Sequence, residues 1–137
     1  MSDARVGRAS VTIEATRAAV WDALVDPGAM TRYMPVDHVE WGRATGDPLR
    51  WQAMVGPERF DVSGTIQRID AGRTLEYSYF DPITRTTRAV SIELSGDAAR
   101  TRVSVSESLN DERERPHIEG GWRLMLANLK SMLEPAT

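Results

Sequence analysis

HIEGGWRLMLANLKSML, residues 117–133, is the stretch whose reading decides the fold. Ile118, Trp122, Met125, Leu126, Leu129, Met132 and Leu133 recur at steps of 4, 3, 1, 3, 3 and 1. That rhythm draws a wide apolar stripe along one face of a long helix. Pro116 is tolerated only in a first turn, so the regular helix is expected to start near Arg115. Asp111 and Glu114, spaced like a capping box, lie just before it. Pro135 is expected to end the helix or follow its end. No other apolar stripe of this length occurs in the chain, so the helix must find a sheet to cover it.

Working back from the helix, the chain supplies that sheet. Thr101, Val103 and Val105 alternate with Arg102 and Ser104, as in a half-buried strand. Val90, Ile92 and Leu94 mark another strand, beginning near Thr86 and leaving at Gly96-Asp97. Leu75, Tyr77 and Tyr79 share a face opposite Glu76 and Ser78. Phe60, Val62, Gly64 and Ile66 continue the period on a longer strand, whose phase slips near Arg68 and Ile69 as a bulge or strand end would make it. Leu49, Trp51, Ala53 and Val55 form one more. The turns Gly56-Pro57, Asp70-Ala71-Gly72 and Asp81-Pro82 separate these runs. Four hairpin-like connections in a row predict an antiparallel meander. A short strand around His38–Trp41 is expected before it.

The N-terminal third reads as strand, then helix. Residues 10–15, SVTIEA, alternate as a strand. Thr16 stands where an N-cap belongs, and Val20, Trp21, Leu24 and Val25 give Arg17–Val25 an apolar face. Asp26-Pro27-Gly28 stops that helix, and a short second one is expected over Gly28–Tyr33. The predicted order is one strand, one or two helices, five or six strands and a long helix. The fold class is therefore α+β, with one antiparallel sheet packed on the final helix.

Composition narrows the chemistry. A chain of 137 residues is the size of one domain and can bury an adequate core without a staple. Cysteine is absent, which removes disulfides, thiolate nucleophiles and cysteine-held metals. Seventeen basic and twenty acidic side chains leave a net charge of −3, scattered along the chain. Nothing there collects a phosphate backbone, so no nucleic-acid binding is expected. No apolar run approaches a membrane span. Residues 1–10 lack an apolar signal core, from which a cytoplasmic location is expected.

Phosphate-loop, dinucleotide and nucleophile-elbow motifs are all missing. Asp37, His38 and Glu40 carry zinc-ligand chemistry, but their loose spacing fits a polar loop better, and no metal or cofactor is expected. Asp111-Glu112-Arg113-Glu114-Arg115 reads as a solvated run, and Glu119 with Arg123 as a surface helix pair. The aromatic residues say more. Trp51, Tyr77 and Tyr79 fall on the inward phase of their strands, and Trp122 lies on the inward stripe of the helix. Their phenol and indole groups need partners when buried, which points to a hydrated or occupied space between them.

Three runs carry a family resemblance. IEATRAAVWDALVDP, residues 13–27, is similar to the strand and V-W-x-A-L-T-D-P helix of the activator of Hsp90 ATPase homologue-like family, with Val25 in place of Thr. GTIQRID, residues 64–70, followed by LEYSY, resembles its centre. HIEGGWRLMLANL resembles its closing helix, G-W-x-x-x-L-x-x-L. The resemblance spans about residues 8–134 and implies one START-like (SRPBCC) helix-grip domain, a curved sheet wrapped around the C-terminal helix. Where the family carries W-x-x-P after its D-P turn, this chain reads Tyr33-Met34-Pro35-Val36, with Tyr33 in the place of the Trp.

The resemblance also implies a cavity between sheet and helix. Its expected lining is Trp51, Tyr77, Tyr79 and Trp122, with Tyr33 and Met34 at the mouth and His117 as a polar anchor. Binding of an apolar or amphipathic small molecule, by a monomer or homodimer, is the leading expectation. A cyclase or dehydratase would need a cavity-facing acid or base, for which Asp61, Glu76, Tyr77, Tyr79 and His117 are the candidates. A protein-interaction or stress-response module would show a filled core and an exposed apolar patch instead.

Overall fold

The computed structural model describes residues 5–134. Seven strands form one antiparallel sheet in the order β1-β7-β6-β5-β4-β3-β2. They are β1 (Val6–Ile13), β2 (Val36–Trp41), β3 (Pro48–Val55), β4 (Glu58–Asp70), β5 (Thr74–Asp81), β6 (Thr86–Gly96) and β7 (Thr101–Ser108). The sheet is curved and packs against the long helix α3 (Arg115–Leu133). Strands β2 to β7 follow each other in space as in sequence. The chain's first strand then closes beside the last, pairing Val6 with Ser108 and Ile13 with Thr101.

Helices α1 (Arg17–Val25) and α2 (Pro27–Tyr33) connect β1 to the far edge. The Thr16 hydroxyl accepts from Ala19 N at 3.1 Å and starts α1. Asp26 ends α1 and caps α2, its carboxylate accepting from Ala29 N at 2.8 Å, with Pro27 at the first helical position. One acidic residue thus makes the corner that the Asp-Pro pair announces. Before α3, Asp111 caps a single 3-10 turn, Glu112–Glu114, and the α-helix begins at Arg115. The end of α3 at Leu133 is described; Pro135 lies outside the described residues.

Strands run longer than alternation alone delimits. β1 begins at Val6 rather than near Ser10, because pairing with β7 supplies a ladder to Gly7 and Arg8 that their side chains do not advertise. β2 begins at Val36, with a pairing irregularity between Asp37 and Glu40 and His38 at φ 48°. The phase slip in β4 is a bulge between Ile66 and Arg68, after which the strand continues to Asp70.

The core lies between the sheet and the helices. Ile13, Leu24, Leu49, Ile66, Leu126 and Leu129 are almost fully buried there, as are Trp21 and Trp122. The backbone of α3 lies closest to β1 and touches β7, α1 and α2 less extensively. Over β3, β4 and β5 the space between helix and sheet is left to large side chains. Gly64 lets the sheet fold tightly at that place. A Cβ there would stand 2.1 Å from the Ser78 carbonyl oxygen and 2.9 Å from the Tyr79 Cα.

Candidate functional site

Alternation brings the aromatic side chains together. Trp51 on β3, with Tyr77 and Tyr79 on β5, points to the inner face. Trp51 lies 5.4 Å from Tyr79 and 6.5 Å from Tyr77, ring centre to ring centre. Trp41 of β2 joins them, edge-on to Tyr77 at 5.0 Å. Such tilted and T-shaped pairs suit the ring quadrupoles. The buried Trp41 indole N–H has no partner among the described residues.

Between these rings and α3 lies an apolar cavity of about 400 Å³. Trp51, Tyr77, Tyr79 and Trp122 all line it, with Met34 on one side and His117 at the start of α3. Ala53 and Phe60 form part of the sheet wall, and Met54, Val55 and Ile83 lie at the exposed rim. Six of the seven expected site residues therefore share one space. Tyr33 is the exception. It is 3% exposed, packed in the core, and its hydroxyl donates to the Leu24 carbonyl at 2.9 Å. Burial pushes its phenol pKa up. It locks α2 onto α1 instead of standing at the mouth, because the phenol finds a buried backbone acceptor within its own helical corner.

The polar centre of the cavity is Glu107, which the strand pattern could have revealed. Thr101, Val103, Val105 and Glu107 share one phase of β7, so two more residues of alternation place a carboxylate indoors. Glu107 is 4% exposed. Tyr79 donates its hydroxyl to one carboxylate oxygen at 2.9 Å, and the Trp122 indole N–H donates to the other at 2.8 Å. Burial raises the Glu107 pKa, and these two hydrogen bonds only partly offset it. Burial raises Tyr77 and Tyr79 too, reinforced by the nearby Glu107 carboxylate.

Arg88 is the second buried charge missed by the strand reading, although it shares the phase of Val90, Ile92 and Leu94. It is 3% exposed. Its Nε donates to Asp81 at 3.0 Å, and its two terminal nitrogens fork onto Glu114 at 3.2 and 2.8 Å. The Glu114 bonds raise the guanidinium pKa. Arg88 holds the Glu114 carboxylate below its ordinary range, helped by the Asn110 N–H. The run at 111–115 is accordingly not all solvated: Glu114 ties the turn before α3 to the sheet. Glu119 also exceeds a surface pair, since it accepts from Arg8 N at 2.9 Å as well as meeting Arg123 at 3.7 Å.

Asp61 and Glu76 belong to the opposite face, where Asp61 accepts from Gln52 and Glu76 from Ser91. Neither lines the cavity. His38 lies 3.7 Å from Asp37, and among the described residues no three metal-ligand side chains converge. No helix among the described residues is long and apolar enough to cross a membrane.

The architecture is that of many solved structures. Protein ChR145 from Cytophaga hutchinsonii is 26% identical with a TM-score of 0.77, covering 97% of this chain and 96% of that one. Protein NE0264 from Nitrosomonas europaea is 16% identical with a TM-score of 0.80, covering 97% and 96%. The Aha1 dimer from Colwellia psychrerythraea is 14% identical with a TM-score of 0.75, covering 95% and 96%. No curated protein sequence matches the chain. Fold and family support a helix-grip binding cavity in general, for a small molecule or a protein. Residues 14–134 match the model described as "Activator of Hsp90 ATPase homolog 1-like protein", and the chain belongs to that family within the START-like helix-grip superfamily.

Proposed function

We propose that this protein binds an apolar or amphipathic small molecule between α3 and strands β3–β5. The observation that carries this reading is the cavity of about 400 Å³, mostly apolar in its lining and holding one buried carboxylate. That volume lies in the range of roughly 300–1,000 Å³ used by small-molecule sites, and so does its chemistry of many apolar walls and few polar anchors. The test joins native mass spectrometry of freshly purified protein to titration with Nile red, a neutral apolar dye. A co-purified small molecule, or dye binding that Ala53→Phe abolishes by filling the wall, is the expected result. Dye binding that survives this substitution sinks the cavity as its seat.

Glu107 favours a second reading, an enzyme of the cyclase or dehydratase type. A cavity-facing carboxyl with a raised pKa, bonded to a phenol, can hold or deliver a proton. Turnover of an aromatic or polyketide-like substrate that is lost in Glu107→Gln would establish it.

A further inference from the structure

The charges around the cavity are unbalanced. Three carboxylates, those of Asp81, Glu107 and Glu114, gather near one guanidinium, that of Arg88. Arg88 directs its N–H groups to Asp81, Glu114 and the Ser108 carbonyl. Glu107 instead receives two neutral donors, Tyr79 and Trp122. An ionised carboxylate offers about four acceptor sites, so Glu107 has capacity left. It lines the cavity, as does Asp81, and no Lys or Arg does so among the described residues. Apart from the phenols of Tyr77 and Tyr79, the remaining titratable side chain of the lining is His117, exposed at the start of α3.

An anionic head group entering this space would meet like charge where water is scarce. A cationic one would gain a charge-assisted hydrogen bond and relieve a buried carboxylate that lacks a cation of its own. Trp51 and Tyr77 line the same space, and aromatic rings attract a cation placed over them. Granted the small-molecule reading above, we infer that the occupant carries a protonated amine on an apolar body, its nitrogen at Glu107 and its body against Trp51, Tyr77 and Phe60. Fatty acids and other apolar carboxylates are the class this cavity rejects.

Octylamine, octanol and octanoic acid share one tail and differ in the head group. Calorimetric titration at neutral pH should rank the amine roughly tenfold tighter than the alcohol, with the acid weakest. Glu107→Gln should bring the amine level with the alcohol. Ala53→Phe should abolish all three, which separates the cavity from general attraction of an amine to an acidic surface. Octanoic acid binding as tightly as octylamine overturns the amine assignment and leaves the small-molecule reading standing. An amine preference unchanged in folded Glu107→Gln does the same. If that variant does not fold, the ranking on the unsubstituted protein decides alone. Failure of all three probes to bind overturns both the assignment and the reading beneath it.

Discussion

Glu107 couples three parts of the molecule through two oxygens. Tyr79 reaches it from β5 and Trp122 from α3, so the carboxylate fixes the distance between helix and sheet at the cavity. The arrangement has a pH signature. Because burial raises the folded-state pKa above the ordinary 4.5, the folded protein holds this proton more tightly than the unfolded chain. The associated stability is fully present below the unfolded value and is lost as pH rises through the folded one. Asp81 and Glu114, whose pKa values are lowered, act with the opposite sign and lose their contribution as pH falls. Urea midpoints of the unsubstituted protein and Glu107→Gln across a pH series isolate the Glu107 part. Their difference should shift in favour of Glu107→Gln as pH rises above 4.5, and a pH-independent difference would contradict the assignment. Trp122 tests the same contact from the helix. It is 4% exposed, and Trp122→Ala removes a large ring together with one of the two donors to Glu107. A loss of about 3–5 kcal/mol in urea denaturation is expected.

The elements were legible where periodicity and turn chemistry agreed. The runs at Leu49, Leu75, Val90 and Thr101 alternate cleanly between Gly, Pro and Asp turns, and each is a strand of the meander. The stripe from Ile118 to Leu133 is the buried face of α3. Edges were harder: β1 and β2 extend over residues whose side chains say little, since backbone pairing with a neighbour decides their length. The apolar wall of the cavity was legible for the same reason as the strands, because phase places Trp51, Tyr77 and Tyr79 indoors. Its charged centre was not, because a carboxylate and a guanidinium on an inward phase look like interruptions until their partners are known. Those partners come from elements far away in sequence. Arg88 of β6 joins the end of β5 at Asp81, the end of β7 at Ser108 and the turn before α3 at Glu114. Arg88→Met removes the shared cation while leaving two partly exposed carboxylates able to rehydrate. A loss of about 3 kcal/mol is therefore expected, at the low end for breaking a buried ion pair. Hydrogen exchange should quicken across residues 110–115, whereas unchanged protection there would show that Glu114 does not anchor the turn.

At the scale of the whole molecule, helix and sheet meet unevenly. α3 lies close over β1, where an added Cβ on Gly7 would come within 3.0 Å of the Ile118 side chain. Across the sheet, over β3 to β5, the aromatic side chains leave open volume. A void on that side forgoes dispersion contacts that a packed core would make, so the open cavity costs stability. Many proteins retain such a cost where function requires the space. Ala53 is the place to measure it, because it lies on the cavity wall between Val36 of β2 and Phe60 of β4. Two outcomes of Ala53→Phe are physically distinct. If the space is open, the added ring buries apolar surface without displacing its neighbours, and stability should rise by about 1 kcal/mol. If the wall is already packed solid, the same ring forces its neighbours apart and stability should fall by about 1–3 kcal/mol. The expected outcome is the first, read as a higher urea midpoint with an unchanged slope, together with loss of Nile red binding. A gain in stability coupled to a loss of binding would tie the void to function. A loss of stability would mean that the helix and sheet already meet across the cavity, and the protein-interaction reading would then fit the molecule better.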